Sequence, residues 1–279
     1  MAGLEAHYSA RDIEARIVAA MRAAGLNPEQ RLSPEELGAL DHFHTGGLRA
    51  SRELQELAQI RGEHRVLDIG AGLAGPARML ASTLGCRVDC IEMSSDFCAG
   101  ARLLNRLTGL DERINVHNAS ALDLTFPDDT FDVAWMQNVG MNIADKPKLY
   151  GEIHRVLKPG GRFAFQEMAA GSSALSHFPL PWATDPADSF LVSVDELRSL
   201  LEASGLIAEV LEDTSAAHLS ATTAIVTPTA SGKLSLAVFV DNLAQKATNT
   251  RRSLEEGQTR LVRGVFRAGR RISVPARPG

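Results

Sequence analysis

Short, nearly continuous apolar runs fall at 65–69, 87–92, 113–118, 131–137 and 161–168. Between them, at 76–84, 95–107 and 145–157, apolar residues recur at helical spacing. Apolar runs without strict alternation are what a parallel strand buried on both faces requires. Strand and helix taking turns predicts a doubly wound α/β sheet with right-handed crossovers. Lys158-Pro159-Gly160-Gly161 reads as a tight turn between helix and strand, since proline cannot continue the helix and glycine supplies unusual dihedrals. Further on, Ser193 and Glu196 form a capping box that opens a helix ending at about Ser204, with Gly205 as its cap. Residues 206–211 then read as a strand, and 259–268 alternate as a final one.

Ahead of the first strand the pattern is helical. Ile13, Ile17, Val18 and Met21 share one face of a helix over 10–24, which Gly25 ends. A second helix starts near Ser33-Pro34, where Ser33 and Glu36 make another capping box. His42-Phe43-His44-Thr45-Gly46-Gly47 interrupts it, and Leu48 to Ile60 is helical again. The expected organisation is an N-terminal helical cap over 1–62 and an α/β domain over 63–279. Two stretches, 170–190 and the polar, partly helical 213–257, do not fit the alternation, and loops of that length in a compact domain serve as lids or interaction elements.

The chemistry concentrates in Val66-Leu67-Asp68-Ile69-Gly70-Ala71-Gly72-Leu73-Ala74-Gly75. An apolar strand carries one carboxylate, breaks into glycines, and restarts as a helix at Pro76. Gly70 and Gly72 let the backbone turn sharply beside a flat ligand, and proline is pre-organised for a first helical turn. The spacing fits the dinucleotide fingerprint G-x-G-x-x-G, with Glu92 twenty residues beyond Gly72. Asp68 separates the readings. A dinucleotide would set an anionic pyrophosphate against the helix N-terminus, and a carboxylate there opposes it. S-adenosylmethionine (SAM) carries an ammonium, a sulfonium and no phosphate, so Asp68 favours SAM over NAD.

The composition adds limits. The 279 residues suffice for one large domain, and a net charge of −5 speaks against nucleic acid as the main partner. Cys86, Cys90 and Cys98 lack zinc-ligand spacing and read as buried thiols, as expected in a reducing cytoplasm. We find no signal peptide, no apolar run of about 18 residues, no low-complexity tract and no metal motif, so neither a membrane nor a metal is expected.

The chain resembles the class I SAM-dependent methyltransferases, in the small-molecule branch near the sarcosine/dimethylglycine enzymes. VLDIGAGLAG (66–75), CIEMS (90–94), SALDLTFPDDTFDVAW (120–135) and EIHRVLKPGGRF (152–163) carry the resemblance to the cofactor class. FHTGG (43–47) and PLPWATDP (179–186) carry it to the subgroup. The resemblance implies a seven-stranded Rossmann-like sheet whose last strand runs antiparallel between the two before it. It also implies a cofactor site: Asp68, Gly70 and Gly72 around the methionine end, Glu92 on the ribose hydroxyls, Met93 against the adenine, Ser120 and Ala121 at the adenine edge, and Gln137 near the reacting methyl. Met93 as plain core remains an equal reading.

Methyl transfer from a sulfonium mainly needs alignment and a dry pocket. A base is needed only where the nucleophile arrives protonated. His44 is the first candidate, with backbone hydrogen bonding near the glycines as its alternative. Glu167 is the second, with a solvated strand end as its alternative. Tyr8, Asn142, His177 and Trp182 are expected to line the acceptor pocket, while His154 reads as structural. The expected acceptor is a small amine or amino-acid derivative methylated on nitrogen. The alternatives are C- or O-methylation of an apolar natural product, or a SAM-binding protein without transfer. Residues 213–257 could also support a homodimer.

Overall fold

Leu67 and Ile69 pack on one side of a seven-stranded sheet and Val66 on the other, following the period-two alternation of a strand. The computed structural model describes residues 12–224, Leu234 and 238–270. Its strands are β1 (Arg65–Ile69), β2 (Arg87–Glu92), β3 (Ile114–Asn118), β4 (Phe131–Gln137), β5 (Leu157–Ala170), β6 (Leu206–Asp213) and β7 (Thr259–Ala268). Their order is β3-β2-β1-β4-β5-β7-β6. The first five are parallel, and β7 runs antiparallel between β5 and β6. The connection reverses direction between β1 and β4, the place where open α/β sheets present a ligand crevice.

Helices α4 (Gly75–Leu84) and α5 (Ser95–Thr108) follow β1 and β2, and α6 (Lys146–Val156) follows β4. One face of the sheet buries Leu67, Ile69, Met136 and Phe163 with Tyr150 and Ile153 of α6. The other buries Val66, Val88, Val133 and Trp135 with Leu80 and Ala101. In the N-terminal region, α1 (Ile13–Ala23) buries Ile13, Ile17 and Met21 in a third cluster with Phe97 and Leu104, while Val18 stays partly exposed. The second helix is only α2 (Pro34–Leu37), where Glu36 Oε2 accepts the Ser33 amide at 2.8 Å. Gly38 (φ +52°) then bends the chain into a 3₁₀ turn over Gly38–Leu40. Helix α3 (Gly47–Ala58) follows and packs Leu54 and Ala58 against the sheet.

Lys158-Pro159-Gly160-Gly161 is not a turn ahead of the strand. Leu157 already pairs with Phe131, and pairing resumes at Arg162 with Val133, so the four residues bulge out of β5. Proline has no N–H for the ladder, and Gly160 (φ +83°) takes the left-handed residue of the bulge. Past β5, residues 170–190 pack without a regular helix of their own beyond a 3₁₀ turn at Pro186–Asp188. Leu180, Trp182 and Ala183 are buried there with Met141, Leu254 and Leu261. Helix α7 (Val194–Ala203) begins where Ser193 Oγ accepts the Glu196 amide at 3.2 Å. Within 213–257 lie α8 (Ser215–Ala224) and α9 (Leu243–Glu255). The three cysteines are buried and free, with burial pushing the Cys86 and Cys98 thiols up to about 11. Among the described residues, no helix is long and apolar enough to cross a membrane, and no His/Cys/Asp/Glu cluster could hold a metal ion.

Candidate active site

The turn after β1 is held by its neighbour strand. Gly70 and Ala71 donate to the Ile91 carbonyl at 2.8 and 3.1 Å. Gly70 (φ +67°) has no room for a side chain, because a Cβ there would lie 2.4 Å from Val139 Cγ2. Gly72 (φ +54°) differs: a Cβ would meet open space. Packing therefore accounts for the first glycine, while the second presents bare backbone to a cavity of about 800 Å³. That volume is in the range of small-molecule sites, roughly 300–1,000 Å³.

Both predicted carboxylates face this cavity. Glu92 Oε2 accepts the Gly72 amide at 3.0 Å and Oε1 accepts the Ser94 amide at 2.8 Å. An ionised carboxylate has about four lone-pair sites, so these amides leave acceptor capacity for a ligand's hydroxyl. Burial raises the pKa of Glu92 against the amides of Ser94, Gly72 and Met93. Asp68 is 2% exposed, and its Oδ2 is buried without a hydrogen-bond partner. Burial, helped by the Glu92 charge and opposed by Arg78, pushes its carboxyl up to about 8. An orphaned acid in a cavity wall is costly unless a cation or donor meets it, and an ammonium supplies both. The pair thus fits the methionine and ribose ends of SAM.

Met93, Ser120, Ala121 and Gln137 also line the cavity. Asn118 Nδ2 donates to the Met93 carbonyl at 2.7 Å, fixing the strand end. Ser120 Oγ accepts the Leu122 amide at 3.1 Å, so part of its acceptor capacity is used within its own turn. Gln137 lines the floor with its amide already engaged: Oε1 accepts from Trp135 Nε1 at 3.1 Å and from Ser51 Oγ at 3.0 Å.

The two proposed bases part company. His44 is in the cavity wall, with Nε2 2.9 Å from Ser51 Oγ. Burial, and then His42, lower its pKa to about 3, so the ring is neutral at ordinary pH. Glu167 does not line the cavity. It is 3% exposed behind the loop after β4, where Oε1 accepts the Val139 and Gly140 amides at 3.0 and 2.9 Å. Its alternative as a solvated strand end fails as well, since burial pushes it up to about 7. Lys146, also buried, donates to the carbonyls of Gly140, Ile143 and Phe190. Glu167 and Lys146 together fasten a loop whose outer side forms the cavity wall.

Asn142 and Trp182 line the far chamber, and Trp182 Nε1 donates to Ser189 Oγ at 3.0 Å. The structure does not bring His177 there: its Nε2 pairs with Glu256 Oε2 at 2.7 Å on the outside of the lid. Tyr8 lies outside the described residues. His154 faces the Gly269 carbonyl at 3.3 Å and wedges against Gly205, a structural role. Phe43, Met141, Phe190, Phe239 and Leu254 add apolar surface to the wall, and Phe239 stands edge-on to Phe43 and Phe97, while Asp145, Asp188, His218 and Arg251 add polar groups.

Sequence reasoning passed over Asp41, Ser51, Arg78 and Trp135. Trp135 had a legible signal, being two residues from Gln137 on one face of β4. Arg78 had another, a lone charge within the apolar helix GPARMLASTL.

Residues 67–165 match the family described as a methyltransferase domain. Over 128 residues the chain is 38% identical to a glycine/sarcosine/dimethylglycine N-methyltransferase of Actinopolyspora halophila, covering 45% of this chain and 23% of that one. It is 35% identical over 130 residues to 24-methylenesterol C-methyltransferase 2 of Oryza sativa subsp. japonica, covering 46% and 36%. The chain thus spans less than half the length of these curated relatives. In fold it resembles phosphoethanolamine N-methyltransferase 2 of Haemonchus contortus, solved with S-adenosyl-L-methionine, at a TM-score of 0.67 and 18% identity, covering 91% of this chain and 60% of that one. Residues 67–165 thus resemble a methyltransferase domain, and the seven-stranded sheet that carries them shares its fold with that solved structure.

Proposed function

We propose that this chain transfers a methyl group from SAM to an amine or hydroxyl on a small, largely apolar molecule. The observation that carries the reading is one cavity lined both by two carboxylates and by bulky apolar side chains. The wall carries the carboxylates of Asp68 and Glu92 beside the bare backbone of Gly72, and it also carries the apolar side chains of Phe43, Met141, Trp182, Phe190 and Leu254. Bound SAM supplies a methyl already activated by its sulfonium. The chain's residues hold and exclude. Asp68 would meet the ammonium, Glu92 the ribose hydroxyls, and Met93 with Ser120 and Ala121 the adenine. The apolar chamber keeps water from the reacting centre and aligns the acceptor, where most of the rate gain in such a displacement arises.

The expectation of nitrogen as the methylated atom draws support from the likeness to the glycine/sarcosine/dimethylglycine enzyme. The chamber favours an amine borne on an apolar body over a free amino acid. C-methylation is a second reading, supported by the likeness to the sterol enzyme. Titration calorimetry of SAM against wild type and Glu92→Ala tests the cofactor step. Micromolar binding, weakened by about 2 kcal/mol or more in the variant, is the expected result. Absence of SAM binding, with heat from NAD instead, would overturn it. A panel of apolar amines, phenols and alkenes with labelled SAM, followed by product analysis, then separates N-, O- and C-transfer.

A further inference from the structure

Hydrogen bonds beneath the chamber leave His44 one satisfactory tautomer. The Trp135 indole N–H can only donate, and its partner is Gln137 Oε1 at 3.1 Å. That contact sets the amide with Oε1 toward Trp135 and Ser51 and Nε2 toward His44. Ser51 Oγ is 3.0 Å from the same Oε1, an acceptor, so the serine proton lies there. Ser51 Oγ is also 2.9 Å from His44 Nε2. Having given up its one proton, the serine oxygen must accept, and Nε2 carries the hydrogen.

The opposite tautomer would send Nδ1–H to the Thr45 carbonyl at 3.4 Å. It would turn the serine proton to Nε2 and leave two acceptor oxygens facing each other at 3.0 Å. The Thr45 carbonyl has a better donor in Gln166 Nε2 at 2.7 Å. Ser51 and Trp135 are fully buried and Gln137 nearly so, so water does not relax these choices. On the Nε2–H form, the Nδ1 lone pair has one donor, Gln137 Nε2 at a long 3.4 Å, with the Thr45 carbonyl oxygen also 3.4 Å away.

We infer that Trp135, Gln137 and Ser51 are positioning residues that hold His44 as its Nε2–H tautomer, so that Nδ1 offers a lone pair to the N–H of an amine methyl acceptor. This rests on the proposed function for the identity of the ligand, but not for the state of the ring. The neutral ring orients a neutral amine by accepting a hydrogen bond from its N–H. The nitrogen lone pair bonds to the methyl carbon as the C–S bond breaks, and the product leaves as the protonated amine, so His44 takes no proton. It selects acceptors that bear a hydrogen on the attacking atom over tertiary amines and carbon nucleophiles.

The test is long-range ¹H–¹⁵N NMR on histidine-labelled protein, with the His44 signals identified by their loss in His44→Gln. We expect the Nε2–H pattern in wild type, without titration near neutral pH. Ser51→Ala removes the acceptor for Nε2–H, and Trp135→Phe frees the Gln137 amide to flip; either should turn the single form into a mixture. Trp135→Phe keeps the ring in the core and so remains readable where Ser51→Ala fails to fold. An Nδ1–H ring in wild type, or the wild-type pattern persisting in a folded variant, would overturn the inference. SAM titration of wild type, a separate measurement, reports on the cofactor reading alone.

Discussion

Arg78 Nε donates to Asp41 Oδ2 at 3.0 Å, and both side chains are buried. Arg78 also reaches Asn105 Oδ1 at 2.7 Å and the carbonyl of Leu73. A Cβ on Gly75 would fall on the Asp41 carbonyl oxygen. The N-terminal segment is therefore keyed into the glycine turn by one ion pair and one backbone contact, and Asp41 itself lines the cavity. Burial raises the Asp41 pKa despite the guanidinium beside it. Arg78→Leu should cost about 3–5 kcal/mol, the scale for leaving a buried charge without its partner. The double variant Asp41→Asn, Arg78→Leu should recover part of that. Urea denaturation of wild type and the two variants checks both statements, and equal losses in the single and double variants would show that packing, not the orphaned charge, sets the cost.

Gly70 and Gly72 should fail in different ways. Both have positive φ, so alanine is strained at either by about 1 kcal/mol or more. Only at Gly70 does the new methyl also strike Val139. Gly70→Ala should lower the melting temperature more. Gly72→Ala should lower SAM affinity more, because its methyl enters open cavity. Thermal melts and SAM titration on the pair separate the two effects.

The sheet was legible because its signals are local. Short apolar-bearing stretches marked the first six strands, alternation marked β7, and the glycine turn marked the ligand end of β1. The bulge at Lys158–Gly161 was not legible, because proline and glycine signal a break in the ladder without saying on which side of the strand start it falls. Glu167 and His177 misled for a related reason. A polar residue at a strand end or in a lid can face the ligand or an adjoining backbone, and only tertiary packing decides. The amides of Val139 and Gly140 claimed Glu167, and Glu256 claimed His177. The Ser51–Gln137 contact joins residues 86 positions apart, beyond what periodicity can see.

Asp68 should make SAM binding a proton-releasing event. Its carboxyl is pushed up to about 8, so near neutrality it is mostly protonated before the ligand arrives. Pairing with an ammonium favours the ionised form and expels that proton. Calorimetry at about pH 7 in buffers of different ionisation enthalpy should report release of about one proton, and affinity should climb steeply with pH below about 8. Asp68→Asn should bind more weakly and abolish the release. Proton uptake by wild type, or an unchanged release in the variant, would place the ammonium elsewhere.

Glu167 should tie stability to pH with a sign opposite to that of a salt-bridged acid. Burial holds its folded pKa at about 7, above the ordinary 4.5, against the pull of the Gly140 and Val139 amides and of Lys146. Between those values the folded chain binds more protons than the unfolded one. Its contribution is therefore fully present below about pH 4.5, is lost as pH rises toward 7, and is flat beyond. The full span is on the order of 3 kcal/mol. Asp68 and Glu92 are raised too and slope the same way, so the measurement must be a difference. Glu167→Gln keeps an oxygen for the Val139 and Gly140 amides and removes the titration. Denaturant curves at about pH 5 and pH 8 should show the variant gaining on wild type at the higher pH. A gap that stays constant between the two would mean that Glu167 is already ionised in the folded protein, with Lys146 winning over burial.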